Sequence, residues 1–163
     1  PASAVRTMAK IAQRAEREFD YGGWGRSLGR LQSAEALGAP PETRITAAVS
    51  AAAWRASIDA GVTAIIACTN RGSTPRAISR FRPTVPIIAA TPDEATARQL
   101  SMAWGIEPMI VDRHSTTDEI VWFSVEAAAA RGIVRRGDVV AVVVGSPTDP
   151  VPVTDTLRLV RVR

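Results

Sequence analysis

Two short segments that are almost wholly apolar, rather than apolar at alternate positions, constrain this fold most. Residues 62–68 read VTAIIAC and residues 139–144 read VVAVVV, and polar or helix-breaking residues bound both. A strand with water on one face alternates, so a continuous apolar run predicts a strand buried on both faces, as in a parallel sheet covered by helices. The second run is the most hydrophobic in the chain, which predicts that it lies at the centre of the sheet.

Helical and strand patterns alternate along the rest of the chain. Further strands are predicted at residues 85–90, 107–111 and 156–162. Helices are predicted at residues 3–19, 43–59, 75–81, 91–103 and 116–131. Thr91 and Thr116 each precede an acidic residue by three positions, the capping-box pattern of a helix start. Because only a loop joins the last two strands, we expect them to pair antiparallel at one edge of the sheet.

The predicted fold is a three-layer α/β/α domain with an approximately five-stranded, mostly parallel sheet and one antiparallel edge strand. Residues 42–163 form this domain. Residues 20–41 hold five glycines and end in two prolines, so we predict a loop there that serves as a linker or a domain boundary. Residues 1–19 form a separate amphipathic helix.

Composition narrows the class of protein. The chain has 163 residues, 46% of them hydrophobic, without an apolar run of membrane length, so we expect one globular domain and no membrane partner. The net charge is +4, but 20 basic and 16 acidic residues are interspersed. This distribution favours a small anionic ligand over nucleic acid. No signal peptide is evident, and a start at Pro1 instead of Met suggests a fragment or a processed chain.

The loop after the first apolar run is the candidate site. Thr74 is predicted to cap the next helix, with Pro75 in its first turn. Free backbone N–H groups at such a helix start favour an anion, typically phosphate, and Arg71 and Arg76 add positive charge. The alternative is an ordinary strand-to-helix connection whose hydroxyls only cap the helix. If the strands at 62–68 and 139–144 are neighbours, the loop at 145–154 forms the opposite wall of one pocket.

Several catalytic patterns are absent. The chain has neither a Walker P-loop nor a dinucleotide-binding glycine pattern. Cys68 lacks the arginine six positions later that a cysteine phosphatase needs, since Thr74 stands there. His114 is the only histidine and is interpreted as a surface loop residue, while Asp118 and Glu119 suit the first turn of a helix. The sequence therefore predicts no active site and no metal site.

Several spaced blocks resemble the C-terminal domain of pyruvate kinase. They are RP-x-x-PIIA-x-T at residues 82–91, G-I-x-P at 105–108, and RRGD before the strand at 139–144. Residues 3–16 resemble the last helix of that enzyme's catalytic barrel. The resemblance implies a cytoplasmic glycolytic enzyme, a homotetramer, and a regulatory domain for a phosphorylated effector. The family's catalytic lysine, metal-binding acids, Mg²⁺ and K⁺ belong to the barrel, so this segment is expected to hold no cofactor and to be inactive alone.

The resemblance also implies roles for individual residues. The effector phosphate would be bound by Thr69, Asn70, Arg71, Gly72, Ser73 and Thr74. The closing loop would contribute Gly145, Ser146, Thr154 and Thr156.

Three departures from the family pattern affect the expected ligand. Asp149 and Asp155 stand in the closing loop, and Ile120 stands where fructose-bisphosphate binders carry an arginine. We therefore expect a monophosphate effector, either AMP or a sugar monophosphate, or lost regulation, rather than a bisphosphate. Two alternatives remain open: a free-standing phosphate-binding protein, and an assembly module that uses the helix at 116–131 and the edge strand at 156–162.

Overall fold

The computed structural model describes residues 2–35, 38–147, 151 and 153–163. Its helices are α1 Ala2–Arg17, α2 Tyr21–Glu35, α3 Pro41–Asp59, α4 Ser73–Ser79, α5 Glu94–Leu100 and α6 Thr117–Ala130. Its strands are β1 Ala64–Cys68, β2 Ile87–Thr91, β3 Ile106–Ile110, β4 Val139–Val144 and β5 Thr156–Arg161. Among the described residues, no helix is long and apolar enough to cross a membrane.

The strands form one five-stranded sheet in the order β3-β2-β1-β4-β5. The first four strands in that order are parallel, and β5 pairs antiparallel with β4 at the edge. The predicted fold class is therefore confirmed. The central position was predicted wrongly for residues 139–144, because β1 lies at the centre and β4 beside it. Both strands are internal in the sheet and helices cover both of its faces, so the composition of the two strands does not separate them.

Side chains alternate between two cores along the central strands. Ile66 of β1 points into the core beneath α6, with Val121 and Val125 of that helix. Its neighbour Ile65 points into the opposite core, which Ala53 of α3, with residues of α4 and α5, helps to fill. Helices thus cover both faces of the sheet, as the continuous apolar runs predicted.

The loop predicted at residues 20–41 is largely helical, which corrects the sequence interpretation. Leu28 of α2 is buried in a cluster with Trp54 and Phe81. Gly25 lies so close to the Trp54 ring that an added Cβ would stand 2.2 Å from it. This glycine therefore permits close packing between helices rather than a turn. Residues 36–37 lie outside the described residues, and the assignment of 20–41 as a domain boundary stays a prediction.

Helix starts were predicted with mixed success. The capping box of Thr116 and Glu119 at the start of α6 is confirmed, with both reciprocal bonds present. The cap of α5 is Asp93, whose Oδ1 accepts a bond from the Thr96 N–H at 2.6 Å. Thr91 instead ends β2 and is buried. The sequence predicts a cap at Thr91 wrongly, because β2 continues one residue beyond its apolar run.

The first helix stands apart from the three layers. None of its residues is buried, and Val5, Met8 and Ile11 are exposed along it. It contacts the α/β domain near its carboxyl end, where Glu16 accepts a 2.8 Å bond from the Trp104 indole N–H. The apolar face of α1 therefore has no cover within the described part of the chain.

Candidate functional site

A cavity of about 460 Å³ opens where the four parallel strands end. This edge is where open α/β sheets bind their ligands, and the volume is typical of a small-molecule site. Because β1 and β4 are neighbours, the loops that follow them form two walls of this cavity, as the sequence argument required. The remaining lining comes from the ends of β2 and β3 and from α3 and α6.

The loop between β1 and α4 forms the first wall. Of its candidate residues, Thr69, Asn70, Arg71, Ser73 and Thr74 line the cavity. The loop conformation is held by hydrogen bonds within the domain. The Thr96 hydroxyl donates to the Asn70 carbonyl at 3.1 Å, and the Arg76 guanidinium donates to the Arg71 carbonyl at 3.2 Å.

The helix after this loop begins earlier than predicted. Gly72, not Thr74, is the N-cap of α4, and it has a left-handed φ of 80°. Glycine adopts this conformation without strain, and an added Cβ would lie 2.7 Å from the Arg76 guanidinium. Gly72 is not among the lining residues, and its N–H donates to the Thr69 hydroxyl at 2.8 Å. In this structure that N–H is therefore already engaged.

The loop between β4 and β5 forms the second wall. Gly145, Ser146 and Thr154 line the cavity, whereas Thr156 lies outside the lining at the start of β5. The Thr156 hydroxyl donates to Asp155 at 2.9 Å. Asp149 lies outside the described residues. Gly145 is required where it stands, since an added Cβ would lie 1.9 Å from the Val153 carbonyl oxygen.

One side-chain bond joins the two walls. The hydroxyls of Thr74 and Thr154 lie 2.7 Å apart, and both residues are buried. The Thr154 N–H also donates to the Thr46 hydroxyl of α3 at 3.2 Å. Thr74 is therefore a bridge between loops rather than the predicted helix cap.

The third wall of the cavity was not predicted from the sequence. The segment after β3 contributes Val111, Asp112, Arg113 and His114, and α6 contributes Ile120 and Ser124. His114, interpreted as a surface loop residue, is half-buried in this wall, and its ring stacks on Phe123 with centroids 4.3 Å apart. The segment after β3 could have been predicted as a wall of the cavity, because it follows the carboxyl end of a parallel strand. The same rule selected the first two loops.

The charges that face the cavity favour an anion. Arg71 and Arg113 are both exposed lining residues. Among the described residues, neither guanidinium has a hydrogen bond or an ion pair within 4.0 Å. A guanidinium without a protein partner is free to pair with phosphate or another planar acceptor.

The described residues of the cavity offer little support for covalent catalysis or metal binding. Burial raises the pKa of the Cys68 thiol to about 11, although a hydrogen bond from Ser124 opposes the shift. The thiol therefore stays protonated near neutral pH and is a poor nucleophile. Within the described ranges, no group of three or more His, Cys, Asp or Glu side chains could hold a metal ion.

Fold and cavity together define a class, the three-layer α/β domains whose small-molecule site lies at the ends of the parallel strands. A family model described as "Pyruvate kinase, alpha/beta domain" matches residues 47–160. The chain belongs to this family.

Individual relatives agree with the family match. Pyruvate kinase of Clostridium acetobutylicum is 40% identical over 159 residues, which cover 98% of this chain and 32% of that protein. The enzymes of Staphylococcus epidermidis and Staphylococcus aureus are 34% identical, over 98% of this chain and 26% of theirs. A solved pyruvate kinase from Cryptosporidium parvum, 23% identical, shares the fold with a TM-score of 0.76 over 98% of this chain and 30% of its own. The chain therefore spans a third or less of these relatives.

Proposed function

We propose that this chain is the regulatory domain of a pyruvate kinase and binds a phosphorylated effector in the cavity at the strand ends. The observation that carries the proposal is the joining of two loops into one hydroxyl-lined site. The loops follow neighbouring strands, and the Thr74 and Thr154 hydroxyls connect them at 2.7 Å. Phosphate oxygens accept hydrogen bonds, so hydroxyl donors beside a free guanidinium suit them.

The phosphate would lie against the β1–α4 loop. Asn70, Arg71 and Ser73 are exposed in the cavity wall, where they could donate without breaking a bond of the fold. Thr69 is engaged by Gly72 as an acceptor, which leaves its hydroxyl hydrogen able to donate. Four candidate donors thus lie in one stretch of the cavity wall, and Arg71 supplies the charge.

A single phosphate fits the distribution of charge better than two. Ile120 lines the third wall, where it offers no donor, and the adjacent Asp112 carboxylate and Arg113 guanidinium add opposite charges to that wall. A second phosphate near an acid would be repelled. We therefore favour AMP or a sugar monophosphate over fructose bisphosphate as the effector.

We further propose that the domain acts within a larger cytoplasmic enzyme that transfers a phosphoryl group from phosphoenolpyruvate to ADP. The exposed apolar residues of α1, Val5, Met8 and Ile11, would pack against a catalytic barrel. The exposed Trp122 and Leu159, on α6 and β5, would contribute to a tetramer interface. In this scheme the reaction, with its Mg²⁺ and K⁺, takes place in the barrel, and the 163-residue chain alone is inactive.

Calorimetric titration tests the effector site. AMP, glucose 6-phosphate and fructose 1,6-bisphosphate are titrated into the chain, and we expect saturable binding of at least one monophosphate. Arg71→Glu should weaken that binding at least about tenfold, since it replaces a charge-assisted donor by a repelling acid. Ser73→Ala should weaken it by a smaller factor.

A matched control separates local from global charge. Arg136→Glu makes the same charge change at an exposed turn that precedes β4, at the other end of that strand, and should leave affinity within twofold. Equal losses in the two arginine variants would contradict a specific site. An absence of heat with all three ligands would contradict effector binding by this chain and leave assembly as its function.

A further inference from the structure

Arg82 adopts a backbone conformation that usually requires glycine. Its φ is 52°, and the other five residues with a positive φ in the described part of the chain are glycines. Arg82 follows α4, and its N–H donates to the Ser79 carbonyl at 3.0 Å. A residue in this left-handed conformation just after a helix is most often glycine, because a Cβ is strained there. Such strain persists only where other contacts hold the residue, so contacts of the Arg82 side chain are expected to oppose it.

The side chain of Arg82 lies between α1 and the α/β domain. Its guanidinium stacks over the Trp104 ring, 4.6 Å from the centroid, and lies 5.8 Å from the ring centroid of Phe19, which follows α1. Its Nη1 lies 3.9 Å from Oε1 of Glu16, in the last turn of α1. The same Glu16 oxygen accepts the 2.8 Å bond from the Trp104 indole N–H. One guanidinium therefore contacts both an aromatic ring of the domain and the end of α1.

The α/β domain holds the other partners of this contact in place. The Trp104 carbonyl accepts a 2.6 Å bond from the Ser79 hydroxyl of α4. Phe81, which directly precedes Arg82, is fully buried in a cluster with Trp54. The backbone of Arg82 is thus anchored beside the core, while its side chain is half-buried at the surface.

The attachment of α1 depends on a small set of contacts. None of its residues is buried, and a helix of 16 residues by itself is only marginally stable in water. Within the described residues, the side-chain hydrogen bond and the ion pair between α1 and the domain both end on Glu16. Loss of the contacts around Arg82 would therefore leave α1 with little to hold it on the domain.

We propose that Arg82 is a latch, a strained residue whose guanidinium holds α1 in one orientation on the α/β domain, and that its release frees α1 without unfolding the domain. The backbone strain favours release, whereas stacking on Trp104 and pairing with Glu16 favour the docked position. These opposing contributions make the balance sensitive to a single substitution. If α1 packs against a catalytic barrel, the latch sets how rigidly the barrel is joined to this domain, and only this use of the latch rests on the proposed function.

Hydrogen exchange, followed by NMR on the ¹⁵N-labelled 163-residue chain, tests the latch without any ligand. Arg82→Gly removes the side chain and the strain together. We expect the Trp104 indole N–H and the amides of residues 14–19 to exchange about tenfold faster, since the lost stacking and ion pair are together of that order. The urea midpoint of the α/β domain should stay unchanged or rise, because glycine tolerates a φ of 52°.

Two further variants separate the side chain from the backbone. Arg80→Ala removes the same charge two residues earlier, where the backbone carbonyl accepts a bond from the Trp24 indole N–H. It should leave both exchange rates within about twofold. Arg82→Ala loses the contacts but keeps the strained φ, so it should free α1 as Arg82→Gly does and also lower the urea midpoint.

Unchanged exchange at Trp104 and at the end of α1 in Arg82→Gly would overturn the latch. A urea midpoint that is lower in Arg82→Gly than in Arg82→Ala would also overturn it, because the strain would then not oppose docking. Neither result bears on the effector site, since no ligand is present. An absence of effector binding would in turn overturn the proposed function and leave the latch standing.

Discussion

Removing the hydrogen bond between the Thr74 and Thr154 hydroxyls tests whether this bond joins the two loops of the site. Thr74 is 3% exposed and Thr154 is 5% exposed, and their oxygens lie 2.7 Å apart. Valine has nearly the shape of threonine but lacks the hydroxyl. Thr74→Val, Thr154→Val and the double variant therefore remove one partner, the other, or both, with little change in packing volume.

The size of the expected destabilisation follows from the burial of both hydroxyls. A single substitution leaves the other hydroxyl buried without its partner, which costs about 1–3 kcal/mol of unfolding free energy. Removing both hydroxyls leaves none unpaired, so the double variant should be clearly less destabilised than the sum of the two singles. In a domain of 150–250 residues each kcal/mol corresponds to about 2–4 °C in Tm.

Urea unfolding at pH 7, followed by tryptophan fluorescence, measures the cycle. Thr156→Val is the control, because its hydroxyl bonds to the exposed Asp155, and it should cost less than about 0.5 kcal/mol. Additive costs in the double variant would refute the bridge. A bridge that is absent in solution would also remove the reason for treating the two loops as one site.

Three further predictions concern packing, reactivity and pH. Gly25→Ala should destabilise the chain by about 1–3 kcal/mol by overpacking against Trp54, 2.2 Å from the added Cβ. Gly29→Ala, with its nearest neighbour at 4.0 Å, should stabilise the same helix by up to about 1 kcal/mol; equal effects in urea unfolding would contradict this. Cys68, whose pKa burial raises to about 11, should react with a disulfide reagent at pH 8 at least roughly 100-fold more slowly in the native chain than in urea; similar rates would show that the thiol is accessible. Hydrogen bonds from the backbone N–H of the preceding loop and from the N-cap threonine lower the pKa of Glu119 in the folded chain. Its charge therefore stabilises the fold above the ordinary glutamate pKa of about 4.3, and this contribution is lost as the pH falls through the lowered value. Glu119→Gln should accordingly be less stable than the parent at pH 7, and the difference should shrink as the pH falls below the ordinary glutamate range; a difference that does not change with pH would contradict the assignment.

The sheet could be predicted because a strand buried on both faces is a continuous apolar segment in the sequence. The apolar runs of β1 and β4 identified parallel strands, and the short connection before β5 identified an antiparallel edge. The capping box of α6 could also be predicted, since Thr116 and Glu119 are three residues apart. These features depend on neighbours in sequence.

Features that depend on distant residues were missed or misplaced. Five glycines in residues 20–41 favoured a loop, but packing of Leu28 and Gly25 against Trp54 stabilises a helix there. The local sequence predicts that Thr74 caps α4, yet the partner of its hydroxyl is Thr154, 80 residues away. Tertiary contacts of this kind override local propensity.

The candidate site also has a part that could be predicted from the sequence and a part that could not. The first two walls of the cavity could be predicted because they follow β1 and β4, which are neighbouring strands. The third wall required the positions of β3 and α6 relative to that pair. Arg113 and His114 carry no motif of their own, and only the fold brings them to the cavity.

We propose that a phosphate monoester binds between the loops that follow β1 and β4. Amide chemical shifts of the ¹⁵N-labelled chain, followed by NMR during titration with AMP, locate the ligand residue by residue. We expect the largest changes to fall in residues 69–74 and 145–146, to saturate together, and to be lost in Arg71→Glu. Saturable changes confined to a second groove, which Trp122 and Glu126 of α6 and Leu159 and Arg161 of β5 line, or no change at millimolar ligand, would contradict this site.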